Sequence, residues 1–573
     1  LDTIRLNRLV SPRFRAAVTE SSPQSSRLSR RQSLQIGALS ALALLAPGAA
    51  RPAAAAGAPT PTGAGAARGR GDRLAPDQGV RVTERPADYI TPKGFKPDRE
   101  IINFSDIKFR LNGYDLGNRI VVMPQKMGGG VNLIDLGSGR ALASLWYWNY
   151  GDYNPISHHI QAFPSSNPYQ EFEFINSCQG GMNSLIYGMP TSVTDPPPGF
   201  NMYRVRFNGD VLELEENISE TTGLGLGVHT TIRPSDAKSY CISDGQKDIF
   251  AWFDRASTRV LQAFRYDWEG RSPNLADCWT GGGVLKITRL HPDPGTGLFD
   301  LRGTKGIKIN WEMVPMGELF VPEGQIPGPN VRALTGADAF VWHPSGRWGA
   351  EIIRMLGGCV VHDAENGMTP VAYCAFPSES PDTYAVEQLD ADTWQVVIDR
   401  VYSPGHELGF SPDGRHLVMM NNGLENSVGI FDSSDEDPRQ WRKIKQIIDP
   451  TWGKRYPSPF HMAFTPDGTK MYLVVLNPAP GRSGIMVVDT ATWNPVKELQ
   501  NITQDMQSCT VTPDGRFLLV AVGGFQRYAS GIFVLDVLKD EPVGFIPNPG
   551  GHHDLTLVPT SVDQLRFSRS CAM

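Results

Sequence analysis

His406-Glu407-Leu408-Gly409-Phe410-Ser411-Pro412-Asp413-Gly414 (HELGFSPDG) is a short apolar strand that opens on a histidine and closes on a Pro-Asp-Gly turn. The chain repeats it. Two copies keep the turn intact, HMAFTPDG from His461 and QSCTVTPDG from Gln507. Four more keep the strand and the Pro: His158 (SHHIQAFP), His229 (HTTIRP), Asp338 (DAFVWHP) and the pair His552/His553 (HHDLTLVP). In six of these seven copies a metal-binding side chain sits five to seven residues before the Pro, and only Gln507 departs. One ligand-type residue per repeat, at one structural position, brings these residues together when the repeats close into a ring.

A second mark recurs after the turn. The chain runs through another apolar strand and a loop into SVGIFD, GIMVVD and GIFVLD, which end at Asp432, Asp489 and Asp536. DIFAWFD (Asp254), GCVVHD (Asp363) and VNLID (Asp135) follow the same plan. Strand, tight turn, strand, loop, strand, Asp-containing turn and a last strand make one four-stranded blade, at the period of roughly 40 to 50 residues typical of propellers. VNLID has no inner strand of its own, and His553 to Pro559 can supply it. That pairing joins the two ends of the chain and leaves no free sheet edge. The expected fold is all-β, a seven-bladed propeller with metal ligands at its axis. Pro234 to Pro344 spans 110 residues and contains the strand-like runs VLKITRL and KGIKINWEM, read as a long excursion from one blade; eight blades is the alternative.

The 59 Gly and 45 Pro are spread along 573 residues, which suits many tight turns and disfavours a helical protein. A net charge of −6 with no basic stripe gives no reason to expect nucleic acid. The seven Cys (178, 241, 278, 359, 374, 509 and 571) form no CxxC pair, so zinc-finger and thioredoxin-like motifs are excluded, and their apolar strand contexts favour buried thiols. Ser29-Arg30-Arg31-Gln32-Ser33-Leu34-Gln35, followed by the apolar run Ile36 to Ala50 and small residues near Ala53 to Ala56, reads as a twin-arginine export signal. The run is too short and Ala-rich for a membrane span. The expected organisation is 1–56 extension and signal, 57–95 flexible linker and 96–573 propeller, in a soluble periplasmic protein for which a homodimer is left open.

Imidazoles and one carboxylate facing a common axis suit copper, zinc or iron; magnesium and calcium prefer all-oxygen shells. Side chains spread around seven blades cannot all reach one small ion, so about two to four metals are expected. No thiolate joins the pattern. His291, His343, His362 and His416 fall outside it and read as structural. His159 neighbours His158 and, in a regular strand, points to the opposite face, though at a strand end both can turn inward.

The tandem His-His, the later imidazoles and the export signal resemble the propeller domain of nitrous-oxide reductase, whose axis holds a multinuclear copper cluster. That enzyme continues into a Cys-rich cupredoxin domain, which is not expected here, and uses His where this chain has Asp338. The segments VVMPQKMGGG, SHHIQAF, GVHTTIRP, INWEMVP, GADAFVWHP, GHELGFSPDG, FHMAFTPDG and GGHHDL more closely resemble the thiocyanate dehydrogenase family. The resemblance implies copper, about three ions, held by His158, His229, Asp338, His406, His461 and His552 or His553, with Lys126 over the cluster and Glu312 beside it. It also implies oxidation of thiocyanate with water to cyanate and sulfur, with a periplasmic cytochrome c as electron acceptor. A buried Glu312 has the proton affinity of a general base, and Lys126 supplies positive charge for an anion. The alternatives are a nitrous-oxide-reductase-like enzyme and a lactonase-like or binding propeller without redox activity.

Overall fold

Each Pro-Asp-Gly copy makes a tight turn out of an inner strand that is buried along its length: Gly405–Phe410, Ser458–Phe464 and Met506–Val511. The hydroxyls of Ser411, Thr465 and Thr512 donate to Asp413, Asp467 and Asp514 at 2.6, 2.5 and 2.6 Å. Gly414, Gly468 and Gly515 take φ of 74°, 70° and 70°, where a β-carbon is strained. At the far end of each hairpin the third strand finishes on the expected Asp: Gly130–Asp135, Ile249–Asp254, Gly358–Asp363, Asn426–Asp432, Ser483–Asp489 and Gly531–Asp536. These carboxylates accept backbone N–H bonds from the following turn, for example Ser138 to Asp135 at 3.1 Å and Thr492 to Asp489 at 2.9 Å. They terminate the strand by satisfying its next donors.

The computed structural model describes residues 80–83, 100–107, 114–125, 130–146, 155–181, 200–208, 211–217, 228–244, 248–270, 280–301, 337–375, 383–401, 405–422, 426–452, 457–476, 483–503, 506–523, 530–548 and 550–568. Among them the chain is all-β, with seven sheets built of antiparallel meanders. The C-terminal Thr556–Leu557 pairs antiparallel with Ile120–Gln125 (Val121 opposite Leu557), so the last segment of the chain completes the first sheet. The excursion is partly visible: Thr280–Leu290, which contains VLKITRL, joins the His229 sheet between Val260–Gly270 and Thr393–Val401. KGIKINWEM lies outside the described residues.

The expected linker over 57–95 is corrected at one point. Val80–Thr83 pairs with Glu100–Ile107, which in turn pairs parallel to Asn494–Thr503 and extends the His461 sheet outward. The apolar-polar alternation of Val80-Arg81-Val82-Thr83 is a strand pattern, and the sheet's outer edge gives it a partner.

Apolar cores lie between the sheets. Ile120, Val122 and Leu133 of the first sheet pack with Ile160, Phe172 and Phe174 of the next. Phe163 and Ile175 meet Tyr240 and Phe253 of the third. Phe250 and Phe264 then meet Phe340 and Tyr373, and Ala350 and Cys359 meet Leu417 and Phe431. Val418 and Ile430 pack on Met462 and Leu473, and Tyr472 and Val474 on Val511 and Val520. Leu519 and Val534 return to Val121 and Leu557, so the succession of sheets closes on itself. Meander sheets that stack face to face in sequence order are the architecture of a β-propeller. Each sheet buries both faces only through its two neighbours, and the first strands of all the sheets are thereby brought to one axis.

Candidate metal centre

The residues singled out by the repeat lie on the inner strands, and in most sheets a β-bulge lies at or beside the ligand position. Register shifts fall between Ser157 and Ile160, Ala337 and Phe340, Gly405 and Glu407, Pro459 and His461, and Met506 and Cys509. A bulge inserts an extra residue and re-aims side chains. It changes what strict alternation implies. His158 and His159 both enter the same cluster, as do His406 and Glu407, whereas His229 sits in a regular pair opposite Ser243.

His158, His159 and His229 offer ring nitrogens within 4.8 Å of one another, and all three are buried. The His158 ring lies 3.8 Å from His159, 5.4 Å from His229 and 4.2 Å from His553, centroid to centroid. His553 continues to His461 at 5.7 Å, and His461 to His406 at 5.9 Å, with Phe460 packed between the rings of His406 and His461. Six imidazoles from five inner segments thus form one contiguous field. Glu407 joins it: its Oε1 is 3.3 Å from His406 Nδ1 and 3.8 Å from His461 Nδ1.

Neighbouring polar groups orient the rings. Asp338 Oδ1 lies 2.9 Å from His229 Nδ1, and Arg354 Nη1 donates to Asp338 Oδ2 at 2.8 Å. Gln507 Oε1 accepts from His553 Nδ1 at 2.7 Å. In His553 the hydrogen bond consumes the Nδ1 proton and leaves the Nε2 lone pair for a ligand, which is how such partners prepare histidines for metals. The sixth copy, where glutamine replaces a ligand, therefore supports the ligand of the seventh. Asp554 is buried and accepts from Ile160 N at 2.9 Å, Ser508 Oγ at 3.0 Å and Leu555 N at 2.6 Å, joining three inner segments; His159 Nδ1 lies 3.8 Å from it.

The His552/His553 pair is separated here, and His552 is corrected. Its Nδ1 lies 2.9 Å from Pro124 O and its Nε2 2.8 Å from Asn548 O, so both ring nitrogens face backbone carbonyls and not the other rings. Burial holds its imidazole below the usual histidine range. His553 is the member of the pair that meets the other rings. His291, His343, His362 and His416 lie elsewhere, against Asp392, Gly414 O, Tyr266 and Trp493 respectively. Lys126 and Glu312 lie outside the described residues. Cys241, Cys359, Cys374 and Cys509 are buried thiols without disulfides.

Glu407, Arg354 and Asp554 are the site residues that sequence reasoning missed, and His159 takes the inward orientation that the sequence left as the second of two. The signals of the missed residues were adjacency to a ligand-type residue (Glu407, Asp554) and, for Arg354, none in the linear pattern. The donor set is nitrogen-rich, with carboxylates as the minority, and it fits copper or zinc and not an all-oxygen ion.

No protein-family model matches the chain, and no curated protein matches it. Among solved structures it is similar to a functionally unknown protein from Desulfotomaculum acetoxidans DSM 771, at 8% identity, 77% of this chain, 100% of that one and a TM-score of 0.43. It is similar also to the periplasmic gluconolactonase PpgL of Pseudomonas aeruginosa (12% identity, 77% and 99% covered, TM-score 0.41). A third is apo AztD from Citrobacter koseri (10% identity, 77% and 97% covered, TM-score 0.38). These likenesses are too distant to bear on function. No helix among the described residues is long and apolar enough to cross a membrane.

Proposed function

We propose that this chain is a seven-bladed propeller whose axial imidazoles hold copper, about three ions, and that it is an oxidoreductase of the thiocyanate dehydrogenase type, exported to the periplasm by a twin-arginine signal. The observation that carries the reading is the cluster of His158, His159 and His229, buried and within 4.8 Å nitrogen to nitrogen, continued through His553 to His461 and His406. Buried imidazoles gathered at one axis are an expensive arrangement without a cation to share. The seven successive sheets support the blade count.

The reaction is thiocyanate plus water giving cyanate, elemental sulfur, two protons and two electrons; the C–S bond breaks and a C–O bond forms. Copper, when bound, supplies the redox capacity and polarises the anion. The chain's residues do the rest. His158, His159, His229, His406, His461 and His553 are the nitrogen ligands. Asp338 is the carboxylate ligand beside His229, and Gln507 fixes the tautomer of His553, while the packed inner strands exclude bulk water. Lys126 attracts the anion, and Glu312 takes a proton from the attacking water. The two electrons leave to an external acceptor, for which a periplasmic cytochrome c is proposed.

Copper quantification paired with thiocyanate-dependent dye reduction tests this. Two to three coppers per chain and turnover are expected, and His461→Ala lowers copper content without unfolding the sheets. Less than one copper, or mainly zinc, overturns the metal assignment. Full copper without thiocyanate-dependent reduction overturns the substrate.

A further inference from the structure

We propose that Arg354 holds a small monovalent anion beside the imidazole field, through the donors of its guanidinium that Asp338 does not use. Arg354 follows the Trp348–Ile353 strand and opens the 3-10 turn Arg354–Leu356, which Gly357 closes in the left-handed region at φ 64°. The turn lies at the end of the hairpin that faces Asp338. Arg354 is 3% exposed and Asp338 fully buried. A guanidinium carries five N–H donors in a rigid plane. One of them, on Nη1, reaches Asp338 Oδ2 at 2.8 Å, and among the described residues Nε has no partner.

Asp338 reaches one arm of the fork with Oδ2, while its other oxygen lies toward His229, 2.9 Å from Nδ1. An idle donor on a buried cation is costly, and such groups in folded proteins are nearly always matched. The charge balance selects the partner. Arg354 and Asp338 neutralise each other, and the neighbouring imidazoles add positive charge once they hold cations, so an anion is the complement. Its size is limited by the packed inner strands. Its acceptor atom meets the Nε–H, a single buried donor, which suits the terminal atom of a slender anion such as thiocyanate, cyanate or azide. The inference rests on the copper-centre reading for its substrate, and it assigns the anion's recognition to a residue on no inner strand.

Azide serves as the probe, having the shape and charge of thiocyanate. Its binding is measured by isothermal titration calorimetry on the protein as isolated, with copper content determined on the same samples. Arg354→Gln leaves Asp338 without its cation, so the Asp338→Asn/Arg354→Gln pair is measured beside it, and Arg354→Lys keeps the charge without the fork. The expected result is azide affinity about 10- to 100-fold weaker in Arg354→Gln and in the double variant, the scale of a lost charged hydrogen bond, with Lys intermediate. Wild-type protein that binds no azide, or a folded single or double variant that binds it equally well, overturns the proposal. Arg354-dependent azide binding in protein without copper leaves this inference standing and overturns the copper reading. Full copper with azide binding indifferent to Arg354 does the reverse.

Discussion

Asp338→Ala is the most informative single change in the protein, because the carboxylate it removes serves two partners that have opposite consequences. Asp338 is buried, holds Arg354 at 2.8 Å and lies 2.9 Å from His229 Nδ1. Its loss strands a buried guanidinium, and breaking a buried ion pair from one side costs about 3–5 kcal/mol. Asp338→Ala/Arg354→Ala removes both charges, so the second substitution returns part of that cost, and the coupling between the two is expected at about 2 kcal/mol or more. Urea unfolding of wild type, both singles and the double gives the coupling from the shifts in midpoint at constant slope. The His229 side is read on the same samples as copper content, which is expected to fall in Asp338→Ala because the site loses the carboxylate beside His229. A single variant within about 0.5 kcal/mol of wild type, the range of an ordinary surface change, refutes the reasoning about the pair. Additive singles refute it as well, since independence is the signature of residues that do not share a charge.

Gln507→Leu removes the acceptor of His553 Nδ1 and is expected to weaken metal binding about 10- to 100-fold, measured by chelator competition; unchanged affinity makes Gln507 a packing residue. Glu312→Gln is expected to lower thiocyanate turnover by on the order of 10² to 10⁴ with normal copper content, and wild-type turnover rules out the role as base. Hydrogen bonds from Ser257 and Ser434 hold the Asp254 and Asp432 carboxyls below the usual carboxylate range. Because the folded values are the lower ones, the stability these turns add is present above about pH 4 and is lost as the pH falls through the folded values. The stability gap between wild type and Asp254→Asn therefore narrows on acidification below that point, and a gap that stays constant down to pH 3 contradicts the assignment.

The linear pattern determines a great deal of this protein. HELGFSPDG, HMAFTPDG and QSCTVTPDG specify an inner strand and its turn because Pro, Asp and Gly each satisfy a local requirement: a fixed φ, a side-chain acceptor and a positive φ. The same local logic places Asp135, Asp254, Asp363, Asp432, Asp489 and Asp536 at strand ends, and the missing inner strand before VNLID pointed to the pairing of Thr556–Leu557 with Ile120–Gln125. What the tertiary structure decided is which side chains face the axis. Alternation along a strand left the side of His159 open and gave Glu407 no role, but the bulges beside them turn adjacent residues to the same side, and a bulge is fixed by its partner strand, not by its own sequence. His552 and His553 are equivalent as letters and become different only when Pro124 O and Asn548 O flank both nitrogens of one and Gln507 meets the other. Arg354 reaches Asp338 across a hairpin whose loop length no repeat announces. Strands and turns are written in neighbouring residues, whereas a site at the axis is made of residues whose only proximity is in space.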